Sequence, residues 1–501
     1  MTAMRNTKDV HHMGCRRIVK VLLAASFLTA AGCAPLPRMD SPPAVKKVEQ
    51  LSSSTSFSAP AAGWPGDGWW RAYGDAQLDA LIEEALRGSP DLDLAQARLH
   101  AAMAQVTGAH AARLPEVTGT ASFTEQKQSY NNLIPKQALP QGWNDYGLAT
   151  VNLSYELDFW GKNRAALAAA LSEQRAAEVE VAQTRLILST SVASAYAGLV
   201  HLYTLRDNAA DTLAIRTKTV TLFRQRHDFG LETLASVRQV EARQAGAQGD
   251  LLAIDERIGL QRNAIAALLG AGPDRGLAIS RPTAQFPGSQ GLPQNLALDL
   301  LGRRPDIIAA RSRTEAAARR IDQARAGFYP SVNLIGLAGL QSLGIDNLAK
   351  SGSGVGSIGP AISLPIFNTE RLQGQLRGAH AEYEAAVATY NATLSEALRE
   401  VADAATSRRS LDGELAAARA AVSAAAEAHQ IVNRRYEGAL ATYLDVLTAQ
   451  DELITAQRSE AELETRALIL DVALVRALGG GFSPESLGAQ SRTSTVEPKH
   501  S

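Results

Sequence analysis

Ala149-Thr150-Val151-Asn152-Leu153-Ser154-Tyr155-Glu156-Leu157-Asp158 decides how this chain is read, and Phe159-Trp160-Gly161-Lys162-Asn163 ends the stretch. Ala149, Val151, Leu153, Tyr155 and Leu157 alternate with Thr150, Asn152, Ser154, Glu156 and Asp158. A period of two with one apolar face is a strand. Gly161 breaks it, and a helical pattern then runs to about Arg226, with Val192, Tyr196, Leu199 and Tyr203 at three- and four-residue spacings. Some 64 residues at the helical rise reach about 96 Å. A strand that leads into a helix this long is the architectural signature to explain.

Similar strands occur elsewhere. Before the first stretch, Val117, Gly119, Ala121 and Phe123 alternate with Thr118, Thr120, Ser122 and Thr124. Far downstream, Ile358, Ile362, Leu364 and Ile366 alternate with Ser357, Gly359, Ala361 and Ser363. Val332 to Gln341 is less regular, because Ile335 and Leu337 fall on its polar face. The four strands are expected at about 116–125, 146–158, 331–341 and 355–366. Each is long enough for a tilted membrane strand, although a soluble half-buried sheet alternates in the same way. If they cross a membrane, four strands leave two edges, and lipid tolerates no unpaired edge. Copies must then combine. Two would give eight strands and little lumen, whereas three would give twelve and a pore.

The chain is internally duplicated. Ser89-Pro90-Asp91 recurs as Arg304-Pro305-Asp306, and Arg113-Leu114-Pro115 as Phe328-Tyr329-Pro330, both 215 residues on. Arg226 matches Arg435 and Leu269-Gly270 matches Leu478-Gly479, both 209 residues on. Alanine-rich composition cannot produce matches in proline and glycine. Each half therefore reads as helix, two strands, a very long helix and a returning helix. The expected divisions are a signal at 1–32, a tether at 33–63, repeats at 64–270 and 295–481, a linker at 271–294, and a polar disordered tail at 482–501. Pro90 to Arg113 and Leu231 to Leu269, at about 36 and 58 Å, stack end to end to match the long helix. Leu251, Ile254, Ile258, Ile265 and Leu268 form a heptad-like seam interrupted by Gln261.

The N-terminus reads as a sorting signal. Arg16, Arg17 and Lys20 precede the apolar stretch Val21 to Ala31, too short to cross a bilayer, and Ala30-Ala31-Gly32-Cys33 follows. Small residues before a cysteine resemble a bacterial lipobox, although Ala30 stands where leucine is commonest. Cys33 is then the lipidation site, carrying diacylglycerol and palmitate, and Ala34 permits outer-membrane sorting. No later segment has 18 consecutive apolar residues, so no membrane-crossing helix is expected. The lipobox and the long helices favour membrane strands over a soluble sheet.

Composition excludes several classes of function. With 50 Lys and Arg against 51 Asp and Glu, the chain offers no basic face for nucleic acid. Both cysteines lie within the first 33 residues, so neither a disulfide framework nor a cysteine metal site is available. No phosphate-binding loop, zinc-protease motif or nucleophile elbow is present, and no carboxylate pair stands out. The chain reads as no enzyme and needs no cofactor. Any transport energy must come from a partner.

Several strings now make the chain similar to a known family. They are Gly68-Trp69-Trp70-Arg71 with Asp75 and Leu78-Asp79-Ala80-Leu81; Ser154 to Lys162; Arg303-Arg304-Pro305-Asp306-Ile307; Ala326-Gly327-Phe328-Tyr329-Pro330-Ser331; Tyr443-Leu444-Asp445-Val446-Leu447 with Ala449-Gln450; and Arg476-Ala477-Leu478-Gly479-Gly480-Gly481. In this order they resemble the TolC-like outer-membrane efflux factors, and especially the NodT/OprM-like lipoprotein branch. The resemblance implies a mainly α fold with β. It implies a homotrimer with a twelve-strand barrel, four strands from each protomer, and a twelve-helix periplasmic tunnel. It also implies an inner-membrane pump of the resistance–nodulation–division type and a periplasmic adaptor docked on the helix tips. Those tips fall near the reversals at 226–236 and 435–445, so Gly230, Leu231, Gly438 and Leu440 are docking candidates. Family members narrow the tunnel here with charged rings. Asp445 matches one acidic position, Thr448 stands where a second aspartate is common, Asp451 follows, and Arg435 is placed to pair across helices. These make Asp445, Asp451 and Arg435 the gate candidates. The competing reading is a structural periplasmic coiled-coil or adaptor-like scaffold.

Overall fold

A computed structural model describes residues 62–131, 136–284, 296–438 and 440–483, with short pieces at 36–37, 43–47, 50–51, 57 and 292–293. The leader, Cys33 and nearly all of the polar tail lie outside the described residues. Two compact units are present. The described residues of one lie mainly within Ala101–Arg175 and Ser312–Ala388; those of the other lie within Val45–His100, Ala176–Arg311 and Thr389–Ser501.

The element order repeats. The first half gives α1 (Ala76–Gly88), α2 (Pro90–Ala111), β1 (Glu116–Gln126), β2 (Asn144–Glu156), α3 (Lys162–Asp228) and α4 (Leu234–Leu268). After a short α5 (Pro273–Leu277), the second half gives α6 (Leu296–Arg303), α7 (Pro305–Ala326), β3 (Ser331–Leu343), β4 (Gly354–Ser363), α8 (Thr369–Glu437) and α9 (Tyr443–Ala477). α2 and α7 both start with proline, which has no N–H to leave unsatisfied at a helix start. The strand ends differ slightly from expectation. β2 stops at Glu156 because the Asp158 carboxylate instead accepts from the N–H groups of Asn163 and Arg164, which starts α3. β4 stops at Ser363, short of Pro365, which cannot donate to a ladder.

In the first unit, the two hairpins join through β2 and β3 into one antiparallel sheet of order β1-β2-β3-β4. Val117 faces Leu153, Leu153 faces Gly336 and Gly336 faces Ile358. One face is therefore built from Val117, Ala121, Phe123, Val151, Leu153, Leu340, Ile358 and Ile362. Thr118, Thr120, Asn152, Ser154, Asn333 and Ser357 occupy the other, with Ile335 and Leu337 among them. Beside the sheet, Ile321, Phe328, Leu372 and Leu376 pack into a small core.

In the second unit, Trp70, Tyr73, Leu81, Ile82, Val192, Tyr196, Leu199, Ile265 and Ile279 form the main core. Asp75 caps α1 and is its polar pin, accepting from Tyr196 Oη at 2.7 Å and from the Thr283 and Gln77 N–H groups at 2.7 and 2.9 Å. Burial alone would raise its pKa, but these donors outweigh burial and hold the carboxyl below its ordinary value. The Gln261 exception is resolved here: Ile254, Ile258 and Ile265 are buried, and Gln261 Nε2 donates to the Ala195 carbonyl at 2.7 Å. α3 contains one 18-residue window of mean hydropathy 1.3, half of it buried. By length and composition alone that window could cross a bilayer. Val192, Tyr196 and Leu199 of α3 nevertheless belong to the helical core.

The end-to-end stacking of short helices is present in both halves. Gly270, after α4, has φ +71, and a Cβ there would stand 2.4 Å from the Gly88 carbonyl oxygen, just before α2. Gly479, after α9, has φ +89, and its Cβ would stand 2.2 Å from the Arg303 carbonyl oxygen, just before α7. Only glycine permits that turn and that approach. Arg304 closes the second junction, donating to Asp306 at 2.5 Å, Glu400 at 2.6 Å and the Ala477 carbonyl at 3.1 Å.

Candidate functional sites: the bare sheet and the helix reversals

Among the described residues, much of the sheet's apolar face is left open. Val117, Phe123, Val151, Ile358 and Ile362 are 54–75% exposed although they are the apolar side of a regular sheet. A half-buried soluble sheet would hide that face. Among the described residues, β1 and β4 each pair on one side only. A greasy face, a polar face and two open edges suit a barrel that closes between copies, with lipid outside and water inside. Trp160 and Tyr329 stand where the strands give way to helices. Their rings stack at 4.7 Å, and the Trp160 indole N–H donates to the Pro330 carbonyl at 2.7 Å.

The reversals lie side by side in the second unit. Phe223 of α3 meets Tyr443 of α9 at 4.3 Å, Tyr443 meets Tyr436 at 5.9 Å, and the Arg226 guanidinium lies over the Tyr436 ring at 5.4 Å. Val220, Val237 and Val240 complete the cluster. Sequence reasoning did not single out this aromatic knot. In a chain with 5% aromatics, three of them bordering the reversals were the available signal.

The gate and docking candidates occupy different settings. Gly230 makes the first turn with φ +72, and the Thr233 side chain caps α4 by accepting from the Ser236 N–H. Gly438 lies in the second turn but not in the left-handed region; Ala439, the repeat counterpart of Gly230, lies outside the described residues. Leu231 and Leu440 are exposed, as are Phe229 and Leu444. Arg435 donates to the Leu440 carbonyl at 3.3 Å and so belongs to its own turn. Asp445 forms a capping box with Thr442: its carboxylate accepts from the Thr442 N–H at 2.7 Å, and its own N–H donates to Thr442 Oγ1. Those bonds, with help from Arg435, hold its pKa below the ordinary value.

Asp451 is the acid that joins helices. It accepts from Arg216 Nη2 of α3 at 2.7 Å and from Arg243 Nη1 of α4 at 3.3 Å. The Arg216 side chain is only 7% exposed and its Nη1 finds no hydrogen-bond partner, so Asp451 is the carboxylate that balances a nearly buried cation. Among the described residues, no group of three or more His, Cys, Asp or Glu is placed to hold a metal ion.

Comparison with known proteins agrees with this geometry. The family described as outer membrane efflux protein matches residues 81–271 and 296–480, one segment in each half. The multidrug resistance outer membrane protein MdtP of Escherichia coli K12 is 30% identical over 93% of this chain and 98% of its own length. The fusaric acid resistance protein FusA of Burkholderia cepacia is 36% identical over 72% of this chain and 68% of its own. The crystal structure of the outer membrane protein VceC of Vibrio cholerae superposes with TM-score 0.79 at 48% identity, covering 84% of this chain and all of that one. The chain therefore belongs to the outer membrane efflux protein family, and it is an efflux channel of the outer membrane with four strands and a duplicated set of long helices.

Proposed function

We propose that three copies close one twelve-strand barrel, continue it as a twelve-helix periplasmic tunnel, and serve as the passive exit duct of a tripartite efflux system. The observation that carries this reading is the sheet with an exposed apolar face and two open edges. Exposed alanines along α8, among them Ala416, Ala420 and Ala424, let helices of neighbouring copies approach closely. A lipid anchor on Cys33 holds each copy to the outer membrane. A periplasmic adaptor docks on the reversals, where Phe229, Leu231, Leu440 and Leu444 are 65–80% exposed, and an inner-membrane pump supplies the energy. Asp451, through Arg216 and Arg243, restrains the reversals in a narrow state, and Asp445 and Arg435 shape the same end.

The purified protein is expected to run as a heat-sensitive trimer in detergent and to give discrete conductance steps in a planar bilayer. A detergent-free soluble monomer without conductance would refute the duct. Replacing Cys33 with Ser is expected to abolish palmitate labelling; persistent labelling would remove the anchor.

A further inference from the structure

A cavity lies at the root of the sheet. It measures about 610 Å³, within the roughly 300–1,000 Å³ of sites that hold small organic molecules. The ends of β2 and β4, the turn from α7 into β3 and the first turns of α8 enclose it. Glu156, Ser331 and Ser363 line it, and strand register puts all three on the polar face of the sheet. Leu157 and Leu364, just past the ends of β2 and β4, line it as well, so polar and apolar groups share the cavity.

Its chemistry has two parts. One is the Trp160–Tyr329 stack, held in orientation by the bond from Trp160 to Pro330; Trp160 is 50% exposed, which leaves part of it accessible. The other is charge. Lys162 pairs with Glu156 at 3.1 Å, Arg164 with Asp158 at 3.4 Å, and Arg320 with Glu173 at 2.9 Å. Arg371 lines the cavity with no carboxylate partner among the described residues; its one contact is a long one, 3.5 Å to Gln375 Oε1. Among the described residues, one guanidinium without an ion pair thus stands in a recess that also has an aromatic platform. A guanidinium binds carboxylates and sulfonates through paired N–H donors, and a free indole face stacks on planar rings.

We propose that this cavity is a transit site for small aromatic organic anions, with the acid group on Arg371 and the ring on Trp160. The proposal rests on the efflux-channel reading and adds to it a selective step inside the duct, which a wide tube would otherwise lack.

The test is calorimetric titration of the full-length detergent-solubilised channel with 2-naphthoate. Saturable binding is expected, weakened about tenfold in Arg371→Gln, the factor that follows from losing one charge-assisted hydrogen bond. Two further probes separate the parts: 2-naphthol keeps the ring without the charge, and inorganic phosphate keeps charge without the ring. Each is expected to bind about tenfold more weakly than naphthoate. Trp160→Ala should lose the ring preference and Trp160→Phe should retain it. Unchanged naphthoate binding in Arg371→Gln would overturn the proposal, and so would phosphate binding as tight as naphthoate binding. Arg371 is exposed, so its variant decides even if Trp160→Ala fails to assemble. Bilayer conductance of the same preparation separates the two readings. A channel that conducts but binds no naphthoate sinks the site alone, whereas one that does not conduct sinks the duct.

Discussion

The two halves solve one problem identically and another differently. Where a returning helix meets the short helix of its own half, both use a left-handed glycine against a backbone carbonyl, Gly270 in one and Gly479 in the other. At the reversals they part. The first turn uses Gly230 in the left-handed region and a neutral Thr233 cap, whereas the second keeps Gly438 out of that region and adds the charged box of Thr442 and Asp445. The lesson concerns what a duplicated chain is free to change. A junction that admits no Cβ fixes its residue in both copies. A turn in open space can be rebuilt.

That contrast predicts a graded glycine series. Gly479→Ala and Gly270→Ala force a methyl into a backbone oxygen at a positive φ, so each should cost more than about 4 kcal/mol and abolish the heat-sensitive oligomer. Gly230→Ala meets no atom within 4 Å and bears only the left-handed strain, about 1–2 kcal/mol. Gly438→Ala has neither burden and should be neutral or stabilising by up to about 1 kcal/mol. Midpoints of oligomer loss on a heating series give the order. If Gly479→Ala melts no lower than Gly230→Ala, the junction argument fails.

The architecture was legible because its signals are periodic. Alternation in Ala149 to Leu157 marks a strand whatever surrounds it, and constant offsets between prolines and glycines report duplication without any structure. Boundaries slipped where side chains intervened: Asp158 turned from strand to cap, and Pro365 shortened β4. The reversal chemistry was less legible. Resemblance assigned Asp445 to a charged ring, yet its spacing from Thr442 also fits a capping box, and that is the contact it makes. Arg216 carried no signal, since it meets Asp451 235 positions away, across separate helices. Long-range ion pairs have no period.

The second prediction sharpens the contrast between the two acids of the second reversal. Asp451→Asn leaves Arg216 nearly buried without a full counter-charge, at a cost of about 1–3 kcal/mol. It should loosen the packing of α3 against α9, raising mean conductance severalfold with the trimer intact. Arg243→Gln removes the longer and more exposed contact and should do less. Equal conductance in wild type and Asp451→Asn would dismiss the restraint.

The smallest effect belongs to the cap. Asp445→Ala should raise leakage through the reconstituted channel if its charge narrows the tunnel, but it also removes the capping box. Thr442→Ala separates the two, because it breaks the cap and leaves the carboxylate in place. Leakage in both variants would make the cap the cause; leakage in Asp445→Ala alone would make it the charge. pH gives an independent check. The pKa of Asp445 is depressed in the folded chain, so its contribution is present above the ordinary aspartate value of 3.8 and is lost as pH falls below it. Thr233 does not titrate. After correction for intrinsic rates, amide exchange at the start of α9 should therefore accelerate as pH falls below 3.8, while the start of α4 stays flat. Parallel acceleration at both would show that the whole helical end loosens with acid and that the charged cap adds nothing of its own.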